Sequence, residues 1–312
     1  MRSLLFFLLF TTVACTDEPP RDFSWVEKPA PEPRVYLPGV LSTQNFDEFG
    51  MAFHPQQATL YFSRRKPGEK QKIYQIDYAD GSWSAAKLLP FSTDRDETPF
   101  VTPDGTTLFF GSERPIPGKP NAGNFDVNVW RTELQADGNW GTPQPLPEPI
   151  NDVQRAGEQW PLENANSVFS IDGKTFYYTV QKRGRTTIEL YRFERNGDQF
   201  GTPQRIDGLF ADSTRSVYNA SLSPDGNYLV FNSYGGADGA GGEDLYYSTK
   251  TDTGWSLAQP LNVNSKLEEG GPLFSPDGKY FFFTRAEFDE NYEQVGTWDI
   301  WVVETASLNL AE

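Results

Sequence analysis

The sequence predicts an all-β protein: a five-bladed β-propeller of four-stranded antiparallel blades, the last blade closed by an N-terminal strand. Three observations predict it. One short phrase recurs five times, with a turn set between two apolar runs. Each copy is followed by further strand-like motifs in a fixed order. The fifth copy ends before its last motif is reached.

The copies read Phe53-His-Pro-Gln-Gln-Ala-Thr-Leu-Tyr-Phe62, Val101-Thr-Pro-Asp-Gly-Thr-Thr-Leu-Phe-Phe110 and Phe169-Ser-Ile-Asp-Gly-Lys-Thr-Phe-Tyr-Tyr178. The last two are Leu222-Ser-Pro-Asp-Gly-Asn-Tyr-Leu-Val-Phe231 and Phe274-Ser-Pro-Asp-Gly-Lys-Tyr-Phe-Phe-Phe283. Asp-Gly between apolar runs signals a hairpin, and recurrence at intervals of roughly 50 residues signals a closed array of blades. A third strand follows at Lys72-Ile-Tyr74, Asn128-Val-Trp130, Glu189-Leu-Tyr191, Asp244-Leu-Tyr246 and Asp299-Ile-Trp301. A fourth follows a glycine turn at Gly81-Ser-Trp83, Gly138-Asn-Trp140, Gly197-Asp-Gln-Phe200 and Gly254-Trp255. After Trp301 no such motif remains before Glu312. Leu37-Pro-Gly-Val-Leu-Ser-Thr43 resembles Leu89-Pro-Phe-Ser-Thr93, which ends the first repeat, so the N-terminal segment is expected to supply the missing outer strand. Such closure removes an exposed sheet edge.

Ahead of the propeller, taken as 35–312, two segments stand apart. Residues 1–14 have a basic start, a short apolar run and a small-residue end, the pattern of a secretory signal too short to span a membrane. Cys15 is the single cysteine and follows that run directly, which resembles a bacterial lipoprotein signal with lipidation at Cys15, although Thr12 replaces the usual Leu. Residues 15–34 hold five prolines and read as an extended tether. Asp17-Glu18 resembles the surface-export signal of Bacteroidetes lipoproteins. The expected location is therefore the outer membrane, on either side.

Composition fits many short strands: aromatics make 15% of the chain, with 27 glycines and 24 prolines. A net charge of −16 argues against nucleic acid, which requires a basic surface. It favours a self-repelling monomer, with a weaker attraction for Ca²⁺ or cationic partners. The Ser-Pro-Asp-Gly-Lys-like turn followed by an aromatic run resembles the WD40-like, PD40 or TolB-type propeller repeat, across about residues 35 to 305. Copy one lacks Asp-Gly, and copy three has Ile171 in place of proline. The resemblance implies a non-catalytic module that binds or scaffolds an envelope protein or a glycan, without a cofactor. It names no ligand, because a fold does not fix a function.

Aligned on their turns, the copies place acids just before the first strand: Glu48, Asp96 with Glu97, Glu163, and Glu268 with Glu269. Bases follow the second strand: Arg64 with Arg65, Arg114, Lys182 with Arg183, and Arg285. Copy four has Val217 and Ser233 at these places and lacks both charges. One reading makes this set salt bridges that stitch blades around the channel mouth; the other makes it an acidic ring for a cation or a sugar. Blade four, free of the pair, is then the asymmetric part of a site, with Arg215, Tyr218, Asn219, Tyr234 and Asp238 as candidate ligand contacts. The loop Gly235–Gly242 lacks the Lys-Ser/Thr ending of a phosphate loop. His54 is the single histidine and sits at a turn, which leaves no basis for a Ser-His-Asp triad or a histidine metal site. The remaining catalytic option is a carboxylate glycosidase acting on extracellular polysaccharide.

Overall fold

Each copy of the phrase folds as the turn of an antiparallel hairpin, and the motifs that follow add the outer strands. The computed structural model describes residues 23, 25–26, 30–119, 126–151, 168–236 and 238–310. Blade one is built from Asp47–Phe53, Thr59–Arg65 and Lys72–Ala79, with its outer edge split into Ser82–Trp83 and Lys87–Leu88. Blade two runs Asp96–Val101, Thr107–Ser112, Asn128–Glu133 and Gln144–Pro145. Blades three and four begin at Val168–Phe169 and Tyr218–Leu222, and both repeat the split outer edge. Blade five takes Glu268–Phe274, Tyr280–Phe288 and Gln294–Glu304, and its outer strand is Arg34–Val35. The N-terminal closure is thus present, with Arg34 opposite Val302 and Val35 opposite Trp301. The strand lies just before Leu37–Thr43, which instead turns towards blade one.

Alternation of apolar residues on both faces of each blade places the core between blades. Five hydrophobic clusters result, one in each seam. Phe53 meets Phe282 between blades one and five at 5.5 Å, and Phe109 meets Phe176 between blades two and three at 5.1 Å. Within the proline-rich segment, Phe23 and Val26 are buried in the seam of blades one and five, and Trp25 lies edge-on to Trp83 at 5.5 Å. Cys15 and the rest of the signal lie outside the described residues.

Two sets of polar and steric contacts repeat around the ring. On the face of the inter-blade linkers, a linker side chain accepts an N–H of the third strand, or just before it in blade three, of the blade it leaves. The five bonds are Ser42 with Ile300 (3.1 Å), Ser92 with Ile73 (2.9 Å), Asn151 with Val129 (2.8 Å), Ser216 with Ile188 (3.1 Å) and Asn264 with Leu245 (2.9 Å). On the opposite face, the residue before Asp in one turn abuts the glycine of the next. A Cβ on Gly105 would stand 3.4 Å from Pro55, on Gly173 3.6 Å from Pro103, on Gly226 3.1 Å from Ile171, and on Gly278 3.7 Å from Pro224. These glycines also hold φ between 67° and 74°, a region that disfavours any side chain. The Pro-Asp-Gly wording is therefore an inter-blade joint as well as a hairpin turn.

Asn151 makes three buried bonds, accepting from Val129 N and donating to the carbonyls of Val129 and Leu146. Asn151→Ala strands these groups, and stability is expected to fall by about 1–3 kcal/mol. A lower urea midpoint with an unchanged slope is the expected readout; an unchanged midpoint would show that the latch contributes nothing.

Candidate functional site

The inner strands of all five blades line a central channel of about 560 Å³. Its turn-side rim carries Pro55, Pro103, Ile171, Pro224 and Pro276, one residue from each copy of the phrase. Its other end carries Arg65, Gln71, Arg95, Glu97, Tyr218, Asn219, Tyr234, Glu243 and Trp298. Among the described residues, no group of three or more His, Cys, Asp or Glu side chains could hold a metal ion.

The repeating acids and bases meet inside the blades. Arg64 pairs with Glu48 at 2.9 Å, Arg114 with Asp96 at 2.8 Å, and Arg285 with Glu269 at 2.8 Å. All three acids are fully buried, and none of these six residues lines the channel. The base also grips the carbonyl of the incoming linker: Arg64 donates to Leu41 (3.0 Å), Arg114 to Phe91 (2.9 Å), Lys182 to Ile150 (2.8 Å) and Arg285 to Val263 (2.7 Å). The cation lies over the third-strand aromatic as well, Arg64 on Tyr74, Arg114 on Trp130, Lys182 on Tyr191 and Arg285 on Trp301. Glu163 lies outside the described residues. Glu97 belongs to another set. It faces the channel and accepts from Arg95 at 3.1 Å and from Gln71, while Arg95 also reaches Glu113 at 3.2 Å.

Blade four meets the same needs with other residues. Ser233 stands in the base position and donates to Ser216 O at 2.7 Å, so a hydroxyl takes over the grip on the linker. The cation over the third-strand aromatic comes from the linker itself: Arg215 lies 4.5 Å from the Tyr246 ring and 3.7 Å from Phe210. Asp238 faces Arg215 at 3.4 Å and accepts from the Tyr246 hydroxyl at 3.2 Å. The five blade-four candidates therefore separate. Tyr218, Asn219 and Tyr234 line the channel, whereas Arg215 and Asp238 form this cap away from it.

Tyr218 and Tyr234 meet edge to face at 5.5 Å, and Tyr234 keeps 50% of its surface exposed. Its hydroxyl donates to Glu243 Oε2 at 3.0 Å, and Asn232 donates to Glu243 Oε1. Burial of the phenol end, with Glu243 beside it, raises the Tyr234 pKa above the ordinary phenol value.

Sequence reasoning missed one regular feature of the channel wall. Four inner strands slip register at the same place, between Phe49 and Met51, Glu97 and Phe100, Tyr218 and Ser221, and Gly270 and Leu273. The bulge residues are Gly50, Thr98, Asn219 and Gly271, with φ of 51°, 49°, 35° and 55°. Glycine adopts that region freely and asparagine tolerates it, whereas other side chains there cost about 1–3 kcal/mol. Thr98 is β-branched, the class least suited to it. The corresponding stretch of blade three lies outside the described residues.

No protein-family model and no curated protein matches the sequence. Solved structures that share the fold include BT0996 in an RGII complex, at 10% identity over 84% of this protein and 88% of that one, with a TM-score of 0.52. TolB from Acinetobacter baumannii is similar at 16% identity with a TM-score of 0.49; the match covers 83% of this protein and only 54% of that one. A thermostable family-43 glycoside hydrolase is similar at 13% identity over 82% of this protein and 89% of that one, with a TM-score of 0.49. These likenesses show the propeller fold alone.

Burial pushes the Glu48 carboxyl up to about 7 from 4.5, against the opposing pull of Arg64 and the Thr43 donors. Between those values the folded chain keeps a proton that the unfolded chain has released, so Glu48 makes stability fall as pH rises through that window. The loss is on the order of 3 kcal/mol. Urea midpoints from pH 4 to 8 should decline in the native chain and decline less in Glu48→Gln. Equal slopes in the two proteins would contradict this assignment.

Proposed function

We propose that this chain is a lipid-anchored propeller of a bacterial cell envelope, held at the outer membrane through Cys15, that binds a partner in its channel without turning it over. One observation carries the non-catalytic reading: four of the acids that the repeat supplies are held by cations, and Glu268 is buried against the backbone N–H of Glu243. Glu48, Asp96 and Glu269 are locked to arginines inside the blades, and Glu97, which does face the channel, is held by Arg95. A glycosidase needs two carboxyl groups on either side of a sugar bond, one of them donating a proton. Carboxylates committed to buried ion pairs reach no substrate. The propeller itself is a rigid scaffold, and the rim opposite the turns collects its polar and aromatic side chains. The envelope placement rests on the signal-like residues 1–14 followed by Cys15.

Two measurements test this reading. Incubation with a panel of envelope and plant polysaccharides should release no reducing ends. Release that disappears in Glu97→Gln or Glu243→Gln would make the protein a hydrolase. In bacteria fed labelled palmitate, the native chain should carry label and Cys15→Ser should not; an unlabelled native chain would end the lipid-anchor assignment.

A further inference from the structure

Thr98 and Asn219 occupy bulge positions that blades one and five fill with glycine. The sister blades show that the bulge closes without a side chain, so the fold does not require these two. A side chain kept in a strained conformation on a cavity wall points to function. Both residues line the channel, beside Glu97 on one blade and Tyr218 on the other.

The surroundings define what they contact. At that end Arg95 is held by Glu97 and Glu113 and Arg65 by Asp47 at 2.9 Å, while Glu243 accepts from the Tyr234 hydroxyl and the Asn232 amide. An anionic ligand would have to displace a carboxylate from one of these arginines. Ring surfaces of Phe49, Phe100, Tyr218, Tyr234 and Trp298 contribute flat apolar contacts. An extended peptide would add to a sheet edge, but the bulges at Gly50, Thr98, Asn219 and Gly271 interrupt that edge in each of four blades. A neutral ring with apolar C–H faces and many hydroxyls meets these conditions, and the cavity of about 560 Å³ has the size of an ordinary small-ligand site.

Building on the binding-module reading, we propose that the channel ligand is a neutral saccharide and that Thr98 and Asn219 are the side chains that select it. The Thr98 hydroxyl and the Asn219 amide supply directional bonds to sugar hydroxyls, and the aromatic wall holds the ring.

Calorimetry of the full chain against neutral methyl glycosides and their disaccharides provides the test. At least one should bind, and Thr98→Gly and Asn219→Gly should each weaken it about five- to ten-fold, the loss of one or two neutral hydrogen bonds. Thermal midpoints of these variants should hold or rise, since the backbone strain is relieved. Binding that is unaffected in both variants removes the pair from the site. A panel in which nothing binds overturns the saccharide assignment. If a displayed linear peptide binds instead, and Tyr234→Ala abolishes it, the ligand is a peptide and the binding-module reading survives. Reducing ends released from a bound sugar would overturn that underlying reading.

Discussion

A ring of blades has no terminus at which misfit can be relieved, so each seam must hold its neighbours at a fixed angle. The aromatic clusters between blades supply the larger driving force, but apolar contact is non-directional and tolerates sliding. Direction comes from the two faces. On the linker face, Ser42, Ser92, Asn151, Ser216 and Asn264 each take one N–H in a third strand or just before it. On the turn face, Pro55, Pro103, Ile171 and Pro224 bear on the next turn's glycine. A blade pinned at both ends and packed in between has little freedom to rotate. The joint from blade five to blade one departs from the rule, because copy one has Gln57 where the others have glycine. That joint has Arg34–Val35 across it, with Phe23 and Val26 packed in the seam.

The fold was legible because the strands and turns obey local rules. Asp-Gly between two apolar runs marks a hairpin, and aromatic alternation marks strands buried on both faces. The acids were legible for a related reason: Glu48, Asp96 and Glu269 each stand five residues before the phrase, whereas the bases vary, Arg64 and Arg285 two residues past it and Arg114 and Lys182 four. The latch was not legible, since serine and asparagine perform one task and no single letter repeats. Ser216 is further hidden by a longer linker, which moves its bond from the position of Ile73 to Ile188, two residues ahead of Leu190. The bulges were hidden more completely. A register shift leaves no mark in a pattern of apolar residues, and Gly50, Thr98, Asn219 and Gly271 share a conformation without sharing a side chain.

Blade four illustrates how spacing can mislead about roles. In the sequence, Arg215 and Asp238 look like part of a site because they are polar, near the irregular copy and outside the repeat. Their geometry shows a cap on Tyr246 that four other blades build from a second-strand cation. The same aromatic position thus receives a positive charge in all five blades, worth about 0.5–2 kcal/mol where the pair is partly desolvated. What is absent from blade four is the buried carboxylate of the inner strand. Val217 fills its place, and Ser233 keeps the linker bond with a neutral donor. A buried ion pair costs desolvation that its attraction only partly returns, so an apolar and hydroxyl substitute carries no necessary penalty.

The position of the strain then becomes informative. Blade four removes buried charge at Val217 and accepts backbone strain two residues later at Asn219; blade two keeps the charge at Asp96 and accepts strain at Thr98. Strain and ion pairing are therefore independent along the same inner strand. The ion-paired residues face into the blade and set its geometry, whereas the bulge residue lines the channel. Had Thr98 and Asn219 been tolerated merely because the ion pair stabilises them, blade four, without that pair, should have reverted to glycine. It has not, and Gly50 beside Thr98 shows the complementary constraint: a Cβ there would stand 3.1 Å from Thr98 Cα. The crowding is with backbone first, so glycine at 50 is a requirement of the seam whatever residue stands at 98, and the choice of a side chain lies with Thr98 alone.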